Sequence, residues 1–207
     1  MNLKRYLTIG ICSAALMLPL SGMAQAAGAS AAASAGAAVS PGESLNVILT
    51  LMEKQIVSAA DAMPADKFDF VPPATGIVPT GGGDFKGVSS FSAQVKHLAS
   101  ENYAFFKGWG IPGEVDPKTI TALKSKDEIM KALRDSYTFA HAAVASITPE
   151  NAFTSLGGPP ERKATRVSTA TFCMAHSMDH YGQLVEYLRM NGIIPPASRK
   201  STTTSGM

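Results

Sequence analysis

Leu45, Ile48, Leu49, Met52, Ile56 and Ala59 recur at three- and four-residue intervals, the spacing that gathers apolar side chains on one face of a helix. The run is bounded on both sides. Ser40-Pro41-Gly42-Glu43 reads as a capping box with proline at the first helical position, and Met63-Pro64 stops the pattern. A second period, Phe91, Val95, Leu98, Asn102 and Phe105, starts at Ser89 or Ser90 and ends by Gly108 to Gly110. A third, Ile129, Leu133, Tyr137, Ala140 and Val144, follows the capping box Ser125-Lys126-Asp127-Glu128 and stops at Thr148-Pro149. The fourth runs from about Thr165 to Met190, with an inward stripe of Phe172, Cys173, His176, His180, Leu184, Tyr187 and Leu188 and with Gly192 as its C-terminal cap.

No segment alternates convincingly with a period of two, and the connections are rich in proline and glycine. The pattern therefore predicts an all-α chain, a four-helix bundle whose helices of about 20 residues would each be roughly 30 Å long. Between the first two helices, Pro64 to Val88 holds four prolines and Gly81-Gly82-Gly83, so it reads as a loop. Loops of that length often cover or line a site. Phe68, Phe70 and Val71 are expected to pack it against the bundle. The stretch with Pro112, Gly113 and Pro117 reads as a turn.

Both ends of the chain lie outside this pattern. Lys4 and Arg5 precede an apolar run of about 14 residues, Leu7 to Leu20, and Ala24-Gln25-Ala26 offers a small-x-small cleavage site. A membrane-spanning helix needs roughly 20 apolar residues. Residues 1–26 are thus expected to be a cleaved signal peptide, and the protein to be exported, periplasmic or secreted. Residues 27–39 are nearly all Ala, Gly and Ser and read as a flexible tether, 40–198 as the folded domain, and 199–207 as a loose tail.

Cleavage would change the charge. The full chain carries 18 basic and 16 acidic residues, a formal net charge of +2, and the leader removes two of the basic ones. A neutral mature domain lacks the basic surface of a nucleic-acid binder, so no nucleic-acid partner is expected. Cys12 would leave with the leader, so Cys173 has no cysteine to pair with inside the domain. It reads as a packed core thiol.

Two histidines on the fourth helix then change the picture. His176 and His180 lie four apart and so share a helical face, where a divalent metal can hold both. His97, on the second helix, supplies a third imidazole if the two helices meet. Three protein ligands leave a coordination position open, the arrangement of a catalytic rather than a structural metal. The bland alternative is that buried histidines merely hydrogen-bond to backbone carbonyls, since H-x-x-x-H is a short motif. Glu101, one turn after His97, is the candidate base or orienting group, or else a solvated helix carboxylate. Asp179 stands open between orienting a ligand histidine and being an exposed helix acid. His141 matches no motif and reads as a surface or satisfied histidine.

The elements H-x-x-x-H-Y-G-Q-L-V, Y-L-R and N-G-I-I-P-P-A-S, running from His176 to the tail, closely resemble the last helix of the DinB-like proteins. Ser90-Phe91-Ser92-Ala93-Gln94-Val95-Lys96-His97-Leu98-Ala99 resembles that family's second-helix motif, although the arginine usual before its Ser-Phe is absent. The resemblance covers the domain from the first helix to Pro196. It implies an up-down-down-up bundle with a divalent metal on His97, His176 and His180, zinc or nickel first and iron or manganese as alternatives. It further implies a metal-dependent enzyme of hydrolase or thiol S-transferase type, acting on a small molecule with a low-molecular-weight thiol as candidate cosubstrate. The alternative is a non-enzymatic metal-binding or stress-related envelope protein. Relatives that pair suggest a homodimer. An export signal sits awkwardly with a thiol drawn from the cytosol.

Overall fold

The computed structural model describes residues 36–73, 85–158 and 163–200. The chain divides into two compact units, Met1–Ala37 and Ala38–Met207. The helices described here all belong to the second. They are α1 (Pro41–Ala62), α2 (Phe91–Phe105), α3 (Pro117–Thr121), α4 (Lys126–Ala145) and α5 (Arg166–Met190). Single 3-10 turns follow α1 at Ala65–Lys67 and follow α5 at Pro196–Ser198. No strand occurs among the described residues, so the chain is all-α as the periodicity predicts. The expected leader, most of the expected tether, Gly81-Gly82-Gly83 and the last seven residues lie outside the described residues.

Local chemistry sets the helix ends. Ser40 and Ser125 each accept from the backbone N–H three residues on, while Glu43 and Glu128 reach back to the cap, closing both predicted capping boxes. Thr165 and Ser168 do the same for α5. That helix ends in a Schellman motif: Ile193 donates to the Leu188 carbonyl and Gly192 to that of Arg189, with Gly192 at φ +73°. Only a residue without a Cβ adopts that φ without strain.

The pairing of side chains fixes the topology. Asn46 of α1 meets His141 of α4, and Asp61 meets Lys126, so these helices are antiparallel. Asn102 of α2 donates to Ser136 of α4 and Tyr103 packs on Phe139, whereas Lys96 reaches Leu123 just before α4, so α2 and α4 run parallel. Gln94 meets Gln183, and Phe105 meets Phe172, so α2 and α5 are antiparallel. The order is up, down, down, up.

The core lies where the four long helices converge. Leu49 and Ile56 of α1, Phe91, Val95 and Leu98 of α2, Leu133 and Tyr137 of α4, and Leu184 and Leu188 of α5 are all essentially inaccessible to solvent. Full burial of each large aliphatic or Phe side chain contributes about 1.5–3 kcal/mol. Two predicted members of this core are exposed instead. Ile48 is 48% accessible because it falls at the rim of the α1 stripe, on the side of Leu51 and Gln55. Phe172, 61% accessible, holds the corresponding rim position on α5.

The connection after α1 packs down through Phe68 and Phe70, while Val71 points to solvent. Its carbonyls at Phe68 and Phe70 accept from Ser92 and Phe91, two of the orphan donors at the start of α2. The stretch expected to be a turn contains α3, whose N-cap Asp116 accepts from Lys118 N–H and whose first residue is Pro117. Five residues are too few to show a helical period.

One contact between helix ends tolerates no side chain. Gly42 donates its N–H to the Ile147 carbonyl just past α4, and a Cβ built on it would lie 2.8 Å from the Val144 oxygen and 2.9 Å from that of Ile147. Both obstacles are backbone. Gly42→Ala should therefore destabilise the protein by about 1–3 kcal/mol, the usual cost of overpacking, despite alanine's better helix propensity. Urea unfolding measures it; an unchanged midpoint would show that the α1–α4 corner has slack.

Candidate metal centre

The site forms where α2 and α5 lie side by side. His97 projects from α2, and His176 and His180 from successive turns of α5. The Nε2 atoms of His97 and His176 are 3.1 Å apart, and one ring nitrogen from each of the three histidines lies within 4.8 Å of the others. The ring of His97 is 5.2 Å from that of His176 and 4.7 Å from that of His180, centre to centre. The three imidazoles are half-buried. At 100° per residue His180 lies about 20° and His176 about 60° to one side of Cys173 in the core-facing arc of α5, so both point toward the α2 side of that arc. The cluster thus sits at an edge of the bundle and does not interrupt an apolar centre as the sequence suggested.

Such a donor set fits a divalent metal. Neutral imidazole nitrogen is a good ligand for zinc, nickel, copper and iron, and His180 is held neutral. Burial, then the nearby His97 and His176, lower it to about 4, against a small opposing pull from Asp179. On its other nitrogen, His180 Nδ1 lies 2.5 Å from Gln94 Oε1.

A cleft of about 560 Å³ opens onto this cluster. His97 and His180 form its floor, Gln94, Lys96 and Glu101 line the α2 side, and Pro117 and Thr121 of α3 form the far wall. Lys96 fixes that wall by donating to the carbonyls of Thr121 and Leu123. The covering role expected of the loop after α1 thus falls, among the described residues, to α3. Another cleft, about 660 Å³, lies beyond Pro117 among Tyr103, Lys107, Glu114 and Lys118, and none of the three histidines lines it.

Glu101 is on the cleft wall with its carboxylate 4.0 Å from His97 Nδ1, too long for a hydrogen bond. Phe105 and Phe172 bracket His176, the latter nearly parallel to it at 23° and 6.3 Å. Cys173 is packed in the core, 1% accessible, with Sγ 3.6 Å from Asn102 Oδ1. Burial pushes its thiol up to about 12, so it stays protonated in the core at neutral pH, and it is not one of the three clustered donors. His141 is satisfied elsewhere, between Asn46 Oδ1 at 2.7 Å and Glu53 Oε2 at 2.9 Å. Tyr187 donates to the Ser89 carbonyl and so ties α5 to the start of α2.

Gln94 and Gln183 went unnoticed in the sequence. Each stands three residues from a site histidine, Gln94 before His97 and Gln183 after His180, and Gln94 is 5% accessible. An amide one turn from a metal-type histidine, on a face that should be apolar, was the available signal.

An up-down-down-up bundle that gathers three imidazoles along one helix seam defines a class: a helical protein with a site fit for a divalent metal. The chain belongs to the DinB superfamily, whose sequence pattern it matches over residues 48–184. That match covers all three histidines. No curated protein matches the chain significantly.

The depressed His180 has a measurable effect on the metal-free protein. An unfolded chain protonates this imidazole below about pH 6.5, whereas the folded protein excludes the proton until about pH 4. Between those values the unfolded state binds more protons, so stability is lost as pH falls. Urea midpoints after chelation should decline more steeply over this window in the wild type than in His180→Gln. Parallel slopes would contradict the assignment.

Proposed function

We propose that His97, His176 and His180 together hold one divalent metal, zinc or nickel first and iron or manganese as alternatives, and that the protein is a metal-dependent enzyme. The observation that supports catalysis over storage is the cleft of about 560 Å³ with two of the three histidines in its floor. A small molecule entering there reaches the metal face directly. When bound, the ion would act as a Lewis acid that activates a nucleophile, water for hydrolysis or a low-molecular-weight thiol for S-transfer.

The residues around the cleft divide the remaining work. Glu101 is the group placed to take a proton from a nucleophile in the cleft or, after a modest side-chain rotation, to accept from His97 Nδ1. Lys96, held against α3, keeps the wall upright and adds positive charge on the α2 side. The basic n-region, apolar run and Ala24-Gln25-Ala26 site support export to the periplasm or beyond. No helix among the described residues is long and apolar enough to cross a membrane.

Elemental analysis of mature protein beside the His176→Ala/His180→Ala double variant tests the centre. Wild type should carry stoichiometric metal and the double variant almost none. Saturating metal at a hundred times its Kd should stabilise wild type by about 2.7 kcal/mol. Turnover of an electrophilic acceptor, with and without added thiol, then separates transfer from hydrolysis. Metal occupancy with no metal-dependent turnover of either kind would favour a binding protein.

Self-association belongs to the same proposal. Val47, Ile48 and Leu51 leave a contiguous apolar stripe on the outer face of α1, 64%, 48% and 59% accessible, the kind of patch that marks an interface. Light scattering should find a homodimer that Leu51→Glu converts to monomer. A monomeric wild type at micromolar concentration would rule it out.

A further inference from the structure

His180 is the inner end of a hydrogen-bonded chain leading out to solvent. Its Nδ1 faces Gln94 Oε1 at 2.5 Å, Gln94 Nε2 donates to Gln183 Oε1 at 2.6 Å, and Gln183 Nε2 donates to Asp179 Oδ2 at 3.2 Å. The direction of the whole chain follows from its last member. An ionised carboxylate only accepts, so Gln183 must turn its NH₂ toward Asp179 and its oxygen toward Gln94. Gln94 must then donate to Gln183 and present its own oxygen to His180. Facing an acceptor, His180 Nδ1 carries the proton. The reverse direction would set the Gln183 oxygen against the Asp179 carboxylate, two acceptors in contact.

We propose that Asp179, Gln183 and Gln94 form a positioning relay that fixes His180 as the Nδ1–H tautomer and reserves Nε2 as its metal donor. This rests on the reading of His180 as a metal ligand. The relay also crosses from α5 to α2 and back, so it holds the ring orientation of His180 relative to the helix that carries His97. Partners of this kind raise the basicity of a ligand imidazole and fix its orientation, and losing one typically weakens metal binding 10- to 100-fold. Asp179, an exposed residue, thereby acts through two amides on a nitrogen to which it makes no hydrogen bond of its own.

The relay is testable in the metal-free full chain. Long-range ¹H–¹⁵N correlation at pH 7 should show His180 with a protonated Nδ1 and a bare Nε2 in wild type, and a mixture of tautomers in Asp179→Asn, a surface change that leaves the core intact. Zinc titration against a chromophoric chelator should give a Kd about 10-fold or more weaker for Gln94→Leu. Gln94→Glu, which keeps an acceptor toward Nδ1, should stay within a few fold of wild type. A wild-type His180 protonated on Nε2, or an Asp179→Asn variant with unaltered tautomer and Kd, overturns the relay while leaving the metal centre standing. Wild type that binds no zinc, nickel, iron or manganese overturns the centre, and the tautomer spectrum still decides whether the relay orders the ring.

Discussion

Everything at the site depends on the antiparallel register of α2 against α5. One residue of slip along a helix displaces a side chain by about 1.5 Å and turns it by 100°, enough to take His97 away from the pair on α5. Contacts along the seam hold that register at four levels. Tyr187 bonds to the Ser89 carbonyl at one end, Gln94 meets Gln183 and His180, Cys173 packs on Asn102, and Phe105 abuts Phe172 at the other end. The histidines occupy the middle, where displacement from either end is least.

The interior next to the seam holds buried polar groups. Asn102 donates to Ser136, which in turn donates to the Leu133 carbonyl, and the Cys173 thiol leans on the free oxygen of Asn102. Tyr137 sits beside this group, fully buried, with no hydrogen-bond partner for its hydroxyl among the described residues. Ser177 and Asn102 flank that hydroxyl without meeting hydrogen-bond geometry, and burial drives its ionisation well above the ordinary phenol range. An unpaired buried hydroxyl costs on the order of 1–3 kcal/mol. A fold that tolerates it behind a cluster of imidazoles places polarity where a purely apolar core would be more stable.

The long helices were legible because their chemistry is local. Ser40, Ser125 and Thr165 mark their starts, and Leu49, Ile56, Leu133 and Leu184 lie in the middle of broad stripes. Rim positions were not legible: Ile48 and Phe172 obey the same spacing as buried neighbours, and only the angle at which another helix arrives decides their side. The three histidines were legible as a group through the motif resemblance, but their place at an edge was not, since helical spacing does not say which of two adjacent stripes faces inward. Gln94 and Gln183 were missed for a related reason. Their meaning lies in a pairing 89 residues apart in sequence, which no single-helix pattern contains.

The two backbone hydrogen bonds from Phe91 and Ser92 to the carbonyls of Phe70 and Phe68 act as a clasp closing the loop between α1 and α2. With Phe68 buried against Phe91 at 5.4 Å, the clasp sets the axial height of α2 from within ten residues of the end of α1. The start of α2 is thus tied to Phe68 and Phe70 directly. Loop-closure entropy grows only slowly with length, so the height of His97 is set by this short clasp and depends little on how many residues separate Phe70 from Phe91.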